Sequence, residues 1–193
     1  MRRRTLDALL SIGGAIVAAI LLVAAGLLLW AGNFANSTVS QQLADQRITM
    51  PSGAAIADPQ IKPYLEQYAG QPLTTGAQAQ AYADHFIAVH LAEIGGGQTY
   101  AQLSAKALAN PKDAALAAQV QTMFRGETLR GLLLNAYAFG TIAQIMLYAA
   151  IAAFAGAGLL ILLALFGFIH LRRTAPEAEI FPTAATRVPV SSS

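Results

Sequence analysis

The sequence predicts an all-α integral membrane protein in which two transmembrane helices flank a small extracytoplasmic helical bundle. Two long apolar segments, and the ordinary polarity of the stretch between them, indicate this fold class. Of the 193 residues, 55% are hydrophobic and 11% are charged, against roughly 25% charged residues in soluble domains. The expected organisation is a basic cytoplasmic N-terminus (1–8), a transmembrane helix (9–31), an extracytoplasmic helical domain (32–145), a second transmembrane helix (146–169) and a disordered cytoplasmic tail (170–193).

The second apolar segment is the clearer of the two. No Asp, Glu, Lys or Arg occurs from Gly131 to Leu171. As a helix, the part from Met146 to Ile169 is about 36 Å long, and the hydrocarbon core of a bilayer is about 30 Å thick. Because lipid offers no hydrogen-bond partners to a free backbone, such a segment must be helical. It is therefore predicted to cross the membrane.

The first apolar segment is predicted to be an uncleaved anchor. It follows the arginines at 2–4, and no charged residue occurs between Asp7 and Asp45. The apolar core of a signal peptide has about 7 to 15 residues, whereas this one exceeds about 20 and closes on Trp30, a residue typical of membrane interfaces. The segment is thus long enough to remain in the membrane as a first span.

Basic residues beside the two spans predict the topology. Arginines lie at 2–4 before the first span and at 172–173 after the second, and Lys and Arg next to spans stay cytoplasmic. Both termini are therefore expected in the cytoplasm of a multi-pass plasma-membrane protein. The formal net charge is only +2, so the basic flanks indicate topology and no nucleic-acid partner is expected. The expected partners are the lipid bilayer and a membrane protein or a second copy of the chain.

The segment between the spans has the pattern of short helices separated by turns. Asn36-Ser37-Thr38 is predicted to cap a short helix that leaves the membrane, and the stretch after it, RITMPSGAAIADP, is predicted to be irregular. Turn and capping residues then predict three further helices, which are Asp58-Pro59 to Gly70, about Ala77 to Ile94 with a Gly95-Gly96-Gly97 stop, and Thr99 to Asn110.

The last helix of the bundle is predicted to be continuous with the second span. From Asp113 to Arg172 neither a proline nor a cluster of turn residues interrupts the helical pattern.

The chain also contains no cysteine, so the domain is expected to hold together by packing alone.

Two stretches resemble a known family: YADHFIAVHLAEIGGGQTYAQLSAKA at 82–107 and FRGETLRGLLLNAYAFGTIAQI at 124–145. With these, the basic N-terminus and the paired arginines after the second span, the chain resembles actinobacterial two-span membrane proteins of uncharacterised function. Members of that family are labelled aromatic ring-opening dioxygenases. The resemblance implies an actinobacterial origin, a plasma-membrane location and two spans, and it brings no catalytic residue with it.

The histidines can be tested against the dioxygenase label. Non-haem iron oxygenases hold iron with two His and one carboxylate. His85 and His90 are about 140° apart around a helix, and His170 is placed at the cytoplasmic end of the second span. His90 and Glu93 lie one turn apart and can share an ion. The cluster His85, His90 and Glu93 is predicted to form a solvated or interhelical polar face, with metal binding as the alternative, and no cofactor is expected.

A second charged group is Arg125, Glu127 and Arg130 in the segment FRGETLRG. Glu127 and Arg130 are one helical turn apart and can pair. Near the outer headgroups, the two arginines are also suited to contacts with lipid phosphate. The alternative is an ion pair on a helix surface, with the arginines extended toward the interface.

Small residues recur at every fourth position in both spans. They are Ser11, Ala15 and Ala19 in the first and Ala149, Ala153 and Ala157 in the second. Small side chains let helices approach closely in lipid, so these patches are predicted to pack the two spans as an antiparallel hairpin. The alternative is that they face outward and bind a partner or a second copy.

No pattern in the sequence indicates catalysis or transport. The spans contain no Asp, Glu, Lys or Arg, and the chain has no HExxH, GxSxG, P-loop or dinucleotide fingerprint. The predicted function is a non-enzymatic membrane-anchored interaction, scaffold or accessory-subunit protein of the cell envelope. The alternative is an extracytoplasmic domain that binds a ligand, lipid or metal, with or without catalysis. A sensor that signals along the last helix is a third hypothesis.

Overall fold

The computed structural model describes the backbone of residues 3–173 and the side chains of 5–173. Within that range the regular structure is all helical, with no strand, as the sequence predicts. The helices are α1 (Arg3–Asp45), α2 (Lys62–Leu65), α3 (Gly76–Ala81), α4 (Ala88–Ile94), α5 (Tyr100–Ala109) and α6 (Ala114–Arg173). Two short 3-10 helices (Gly53–Ile56, Glu66–Tyr68) and a π-helical segment (Tyr82–Ile87) complete them. Nearly all of the tail predicted at 170–193 lies outside the described residues.

Helices α1 and α6 are both long and apolar enough to cross a membrane. The chain divides into two compact units. The first, called here the helix-pair unit, consists of Met1–Leu29 and Tyr148–Ser193, and the second, the central domain, is Trp30–Leu147.

The described part of the helix-pair unit is an antiparallel pair of helices. His170 Nε2 lies 3.8 Å from Asp7 Oδ2 at one end, and a Cβ atom at Gly156 would lie 3.7 Å from Leu21 Cδ1 further along. Small residues make the contact, and they recur every seven positions on each helix. These buried residues are Ser11, Ala18 and Ala25 on α1 and Ala150, Ala157 and Ala164 on α6. The large leucine and isoleucine side chains of the unit are mostly exposed.

The helix contact differs from the small-residue stripes in the sequence. Ser11 and Ala157 are buried in it, and Ala153 is partly buried, but Ala15, Ala19 and Ala149 are exposed. A spacing of four residues drifts about 40° around a helix at each step, whereas a seven-residue repeat stays nearly in line. The contact therefore follows the heptad. That the exposed alanines bind a partner stays a prediction.

The central domain has its own apolar core. Its largest fully buried side chains are Met50, Leu65, Leu73, Met123 and Leu133. They come from the irregular segment after α1, from α2, from the loop before α3 and from α6, so the core joins parts of the chain that are far apart in sequence. This is the packing that a domain without cysteines requires.

The stretch predicted to be irregular contains the short 3-10 helix and is held by backbone hydrogen bonds to a later loop. Met50 N donates to Gln71 O at 2.8 Å, and Leu73 N donates to Ile48 O at 2.9 Å. These bonds place Met50 and Leu73 side by side in the core. An irregular segment is thereby fixed without a strand of its own.

Helix ends in the centre of the domain follow the sequence signals. Thr99 begins α5 with a capping box, in which its hydroxyl accepts from Gln102 N and Gln102 Oε1 accepts from Thr99 N. The predicted stop after α4 is confirmed, because Gly96 and Gly97 have φ values of +56° and +75°, where a side chain is strained. The predicted helix from Ala77 to Ile94 is also present, but its centre is π-helical.

The cap predicted at Asn36-Ser37-Thr38 is wrong. The Ser37 and Thr38 hydroxyls donate to Phe34 O at 3.0 and 2.8 Å, so both are satisfied inside the helix. With no need for an N-cap there, α1 continues to Asp45.

The start predicted at Asp58-Pro59 is too early. Asp58 Oδ1 accepts from Gln60 N at 2.7 Å, which makes a local turn, and the α-helix begins at Lys62. Instead of one helix to Gly70, the segment forms α2 and a 3-10 helix that ends at Tyr68.

Helix α6 runs without interruption from Ala114 to Arg173, as the absence of stop signals predicts. Asp113 caps it, since its Oδ1 accepts from Leu116 N at 2.9 Å. Two of its glycines are sites of close approach: a Cβ atom at Gly126 would meet the Leu91 side chain, and one at Gly140 would lie 3.4 Å from Gly76 Cα. Their cost in helix propensity is offset by the packing that they allow.

Candidate functional site

Arg130 on α6 is the centre of a charged cluster in the central domain. Its Nη2 lies 3.1 Å from Asp84 Oδ1 in the π-helical segment, and its Nη1 lies 3.6 Å from Glu127 Oε2 one turn earlier on α6. About a third of the Arg130 and Asp84 side chains is exposed (33% and 32%). Arg130 thus ties the π-helical segment to α6 and has a carboxylate on each side.

The π-helical segment places Asp84 within reach of Arg130. A π-helix contains an extra residue per turn, so it changes the face on which the following side chains lie. Such segments occur often at functional sites, and here the segment also contains His85. The sequence predicted that Glu127 pairs with Arg130 and that Asp84 belongs to a solvated or interhelical polar face, but it did not connect Asp84 with Arg130, 46 positions later.

A small cavity of about 220 Å³ lies beside this cluster, between Gln98 and α6. Gln98 and Arg130 both line it, and Gln98 Oε1 and Arg130 Nε are buried polar atoms without a hydrogen-bond partner in the described part of the chain. One is an acceptor and the other a donor, so each can be satisfied by a water molecule or a small neutral polar group. The two carboxylates and one guanidinium of Asp84, Glu127 and Arg130 sum to −1, which disfavours an anion there.

Of the two arginines predicted to contact lipid, Arg130 is therefore already paired. Arg125 is exposed and forms no ion pair among residues 5–173. An arginine needs free guanidinium donors to bind a phosphate. Arg125 retains them, and its contact with a lipid headgroup stays a prediction.

The two central histidines have separate partners. The His85 ring stacks on the Tyr64 ring, with centroids 3.4 Å apart and planes at 2°. His90 Nδ1 donates to Phe86 O at 2.7 Å, and its ring packs on the Phe86 ring at 4.4 Å. Glu93 is exposed on α4. Across residues 5–173, no three His, Asp or Glu side chains are grouped as metal ligands would be.

Tyr82 at the start of the π-helical segment is half-buried and stacks on Phe86 at 5.2 Å. Burial raises the pKa of the Tyr82 phenol above its ordinary value of 10.0. The group therefore stays neutral at physiological pH and acts as an apolar packing element with a polar tip.

A second concave site of the central domain is a groove between α1 and α6, with a volume of about 520 Å³. It is called here the α1–α6 groove. Its walls are mostly apolar, and no charged residue is among those that line it. They are Phe34, Ala35, Thr38, Val39, Gln42 and Leu43 from α1, Gln46 directly after α1, and Leu132, Leu133, Asn135, Ala136 and Phe139 from α6. Small-molecule sites typically have volumes of about 300 to 1,000 Å³, and the volume of the groove is within this range.

Nothing in the sequence pointed to this groove. Its two walls are about ninety residues apart in the chain, and only their pairing in space creates the concave surface. Phe34 and Phe139, one on each wall, are both exposed aromatic residues.

No protein-family model matches the chain, and no curated protein or solved structure matches it either.

Proposed function

We propose that the chain is a two-span plasma-membrane protein whose central domain stands outside the membrane, with both termini in the cytoplasm. The observation that supports this most is the exposed apolar surface of α1 and α6. In their most apolar windows, only 11% and 17% of the residues are buried within the chain. A core helix of a soluble protein would have most of them buried, whereas lipid accepts such a surface.

The arrangement of side chains in the helix-pair unit supports the same proposal. Alanines such as Ala18 and Ala157 lie at the helix contact, and large residues such as Ile20 and Leu162 are exposed. In lipid there is no hydrophobic force between helices, so close contact between small residues is what holds them together. In water the opposite order, large inside and small outside, would be favoured.

We infer that the central domain acts by interaction, as a scaffold or accessory subunit of the cell envelope, without catalysis. Its most conspicuous polar groups contact one another: Arg130 pairs with Asp84, and His85 stacks on Tyr64. These contacts favour a structural role for the polar residues. The orientation rests on the basic flanks at 2–4 and 172–173.

Cysteine labelling tests the topology directly, because the chain has no cysteine of its own. Single cysteines replace Ser52, which is exposed in the central domain, and Ser192 in the C-terminal tail. With a membrane-impermeant thiol reagent on whole cells, we expect labelling at position 52 and none at 192 until the cells are opened. The reverse pattern would contradict the proposed orientation, and labelling of both on intact cells would contradict a membrane crossing between them.

Crosslinking in native membranes tests the interaction role. We expect the wild-type chain to give a crosslinked species of discrete mass that Leu65→Ala loses at a temperature where only the variant's central domain is unfolded. Leu65 lies in the core of that domain, and the helix-pair unit does not contain it. A partner held by the spans alone would remain in both samples. The absence of any such species from the wild type would count against a scaffold.

A further inference from the structure

The α1–α6 groove extends along the last part of α1. This wall runs from Phe34 to Gln46, the residue after the end of α1, a distance of about 18 Å at 1.5 Å per residue, and the volume of the groove is about 520 Å³. The groove therefore has room for an extended chain of atoms along this wall.

The walls select an apolar occupant. Val39, Leu43 and Leu133 belong both to the walls and to the hydrophobic core behind them. The polar groups are uncharged, and one of them, the Thr38 hydroxyl, already donates to Phe34 O at 2.8 Å. An ionised group would lose its hydration in the groove without gaining a partner of opposite charge. A hydrocarbon chain has no hydration of this kind to lose when it enters the groove.

One end of the groove joins the exposed apolar end of the central domain. Phe34 and Phe139 form this end and are 62% and 57% exposed. Trp30 stacks on Phe34 with ring centroids 5.9 Å apart and is itself exposed. Aromatic side chains of this kind are typical of the bilayer interface. If the domain stands on the membrane as proposed above, lipid has direct access to the groove at this end.

We propose that the α1–α6 groove holds one acyl chain of a membrane phospholipid from the leaflet on which the central domain stands. The inference rests on the proposed membrane location and names a ligand for it. An acyl chain gains little by leaving the bilayer, since it exchanges one apolar surrounding for another. The favourable free energy of binding comes from the apolar groove walls, which would be in contact with water if the groove were empty. Recognition is of the chain and not of the headgroup charge, because no lining residue is charged.

Photocrosslinking in vesicles tests this proposal on the full chain. The protein is reconstituted into phosphatidylcholine vesicles in which a minor fraction of the lipid has a photoactivatable diazirine within one acyl chain. Crosslinked residues are then mapped by mass spectrometry. We expect adducts at 34–46 and 132–139 as well as on the exposed residues of the helix-pair unit. The yield in the groove should be the same in phosphatidylglycerol vesicles, and a strong dependence on the headgroup would overturn acyl-chain recognition.

Two tryptophan substitutions provide a matched pair. Ala35 lines the groove, and Ala44 is exposed nine positions further along α1, on the opposite face of the helix. Ala35→Trp should lower the groove adducts at least about fivefold by occupying the space, while Ala44→Trp leaves them unchanged. Gln42→Trp, at an exposed lining position, repeats the test if Ala35→Trp impairs folding. Equal adduct yields in both Trp variants of the groove and in the wild type would overturn the proposal.

The pattern of adducts separates this inference from the proposed function. If the helix-pair unit is crosslinked and the groove is not, the chain is in the membrane and the acyl-chain proposal is wrong. If neither is crosslinked, the membrane location itself fails. If residues 34–46 form adducts with a co-purifying polypeptide instead of lipid, the groove is a protein-binding site and the acyl-chain proposal is again wrong.

Discussion

Replacing Leu65 by alanine is expected to lower the free energy of unfolding of the central domain by about 2 to 5 kcal/mol. Leu65 is 0% exposed and belongs to the same core cluster as Met50, Leu73 and Met123. The substitution removes three carbon atoms from a site where the surrounding side chains come from distant parts of the chain. Because those segments are held by their own hydrogen bonds, the core closes only partly over the space.

The measurement is thermal unfolding in a mild detergent, followed by circular dichroism. Leu108→Ala is the matched control, since this leucine on α5 is 82% exposed. A substitution at such a position changes stability by no more than about 0.5 kcal/mol. The core described here would be contradicted if the two variants unfolded at the same temperature.

The importance of this core follows from the lack of cysteines. Disulfides can stabilise a domain of this size, and this one has none to restrict its unfolded state. Packing and helix caps must therefore supply its stability. The two capping boxes, at Thr75 and Thr99, each satisfy backbone N–H groups that helix starts leave free.

Local signals in the sequence predicted the parts of the fold that depend on local chemistry. The predicted helix start at Thr99, the Gly95 to Gly97 stop and the start of α6 after Asp113 are all present. Each of these depends on contacts within a few residues, so spacing and residue type are sufficient to identify them. The two apolar segments were equally clear, because length and composition alone define a helix able to cross a membrane.

Where one side chain can form either of two local hydrogen-bond arrangements, the sequence did not show which one forms. Ser37 and Thr38 can cap a new helix or donate to a carbonyl one turn earlier, and the structure has the second arrangement. Asp58 can cap a helix or close a turn, and it closes a turn. The π-helical segment has no sequence signature of its own, which is why Asp84 was not connected with Arg130.

Tertiary pairing explains what the sequence could not provide for the candidate sites. In the helix-pair unit, the position of α6 determines which face of α1 is covered. The buried alanine is therefore Ala18 and not the neighbouring Ala19. The α1–α6 groove likewise exists only because residues 34–46 and 132–139 lie beside each other. Single-residue chemistry cannot reveal a surface made by two distant segments.

Replacing Ala138 by proline should lower the free energy of unfolding of the central domain by about 3 kcal/mol or more. Ala138 lies in the interior of α6, which is helical from Ala114 to Arg173. Proline removes the backbone donor and places its ring against the carbonyl one turn earlier. Since Ala138 is exposed and does not line the α1–α6 groove, the loss comes from the backbone and not from packing.

Ala114→Pro is the control for this backbone effect. Ala114 is the first residue of α6, directly after its cap Asp113, and the first turn of a helix accepts proline because its N–H groups have no partner within the helix. Unfolding in detergent, followed by circular dichroism, should therefore leave Ala114→Pro close to the wild type and shift Ala138→Pro to a clearly lower temperature. Equal tolerance of proline at both positions would mean that residues near 138 form a flexible connection. In that case α6 would not run as one helix from the central domain into the second apolar segment.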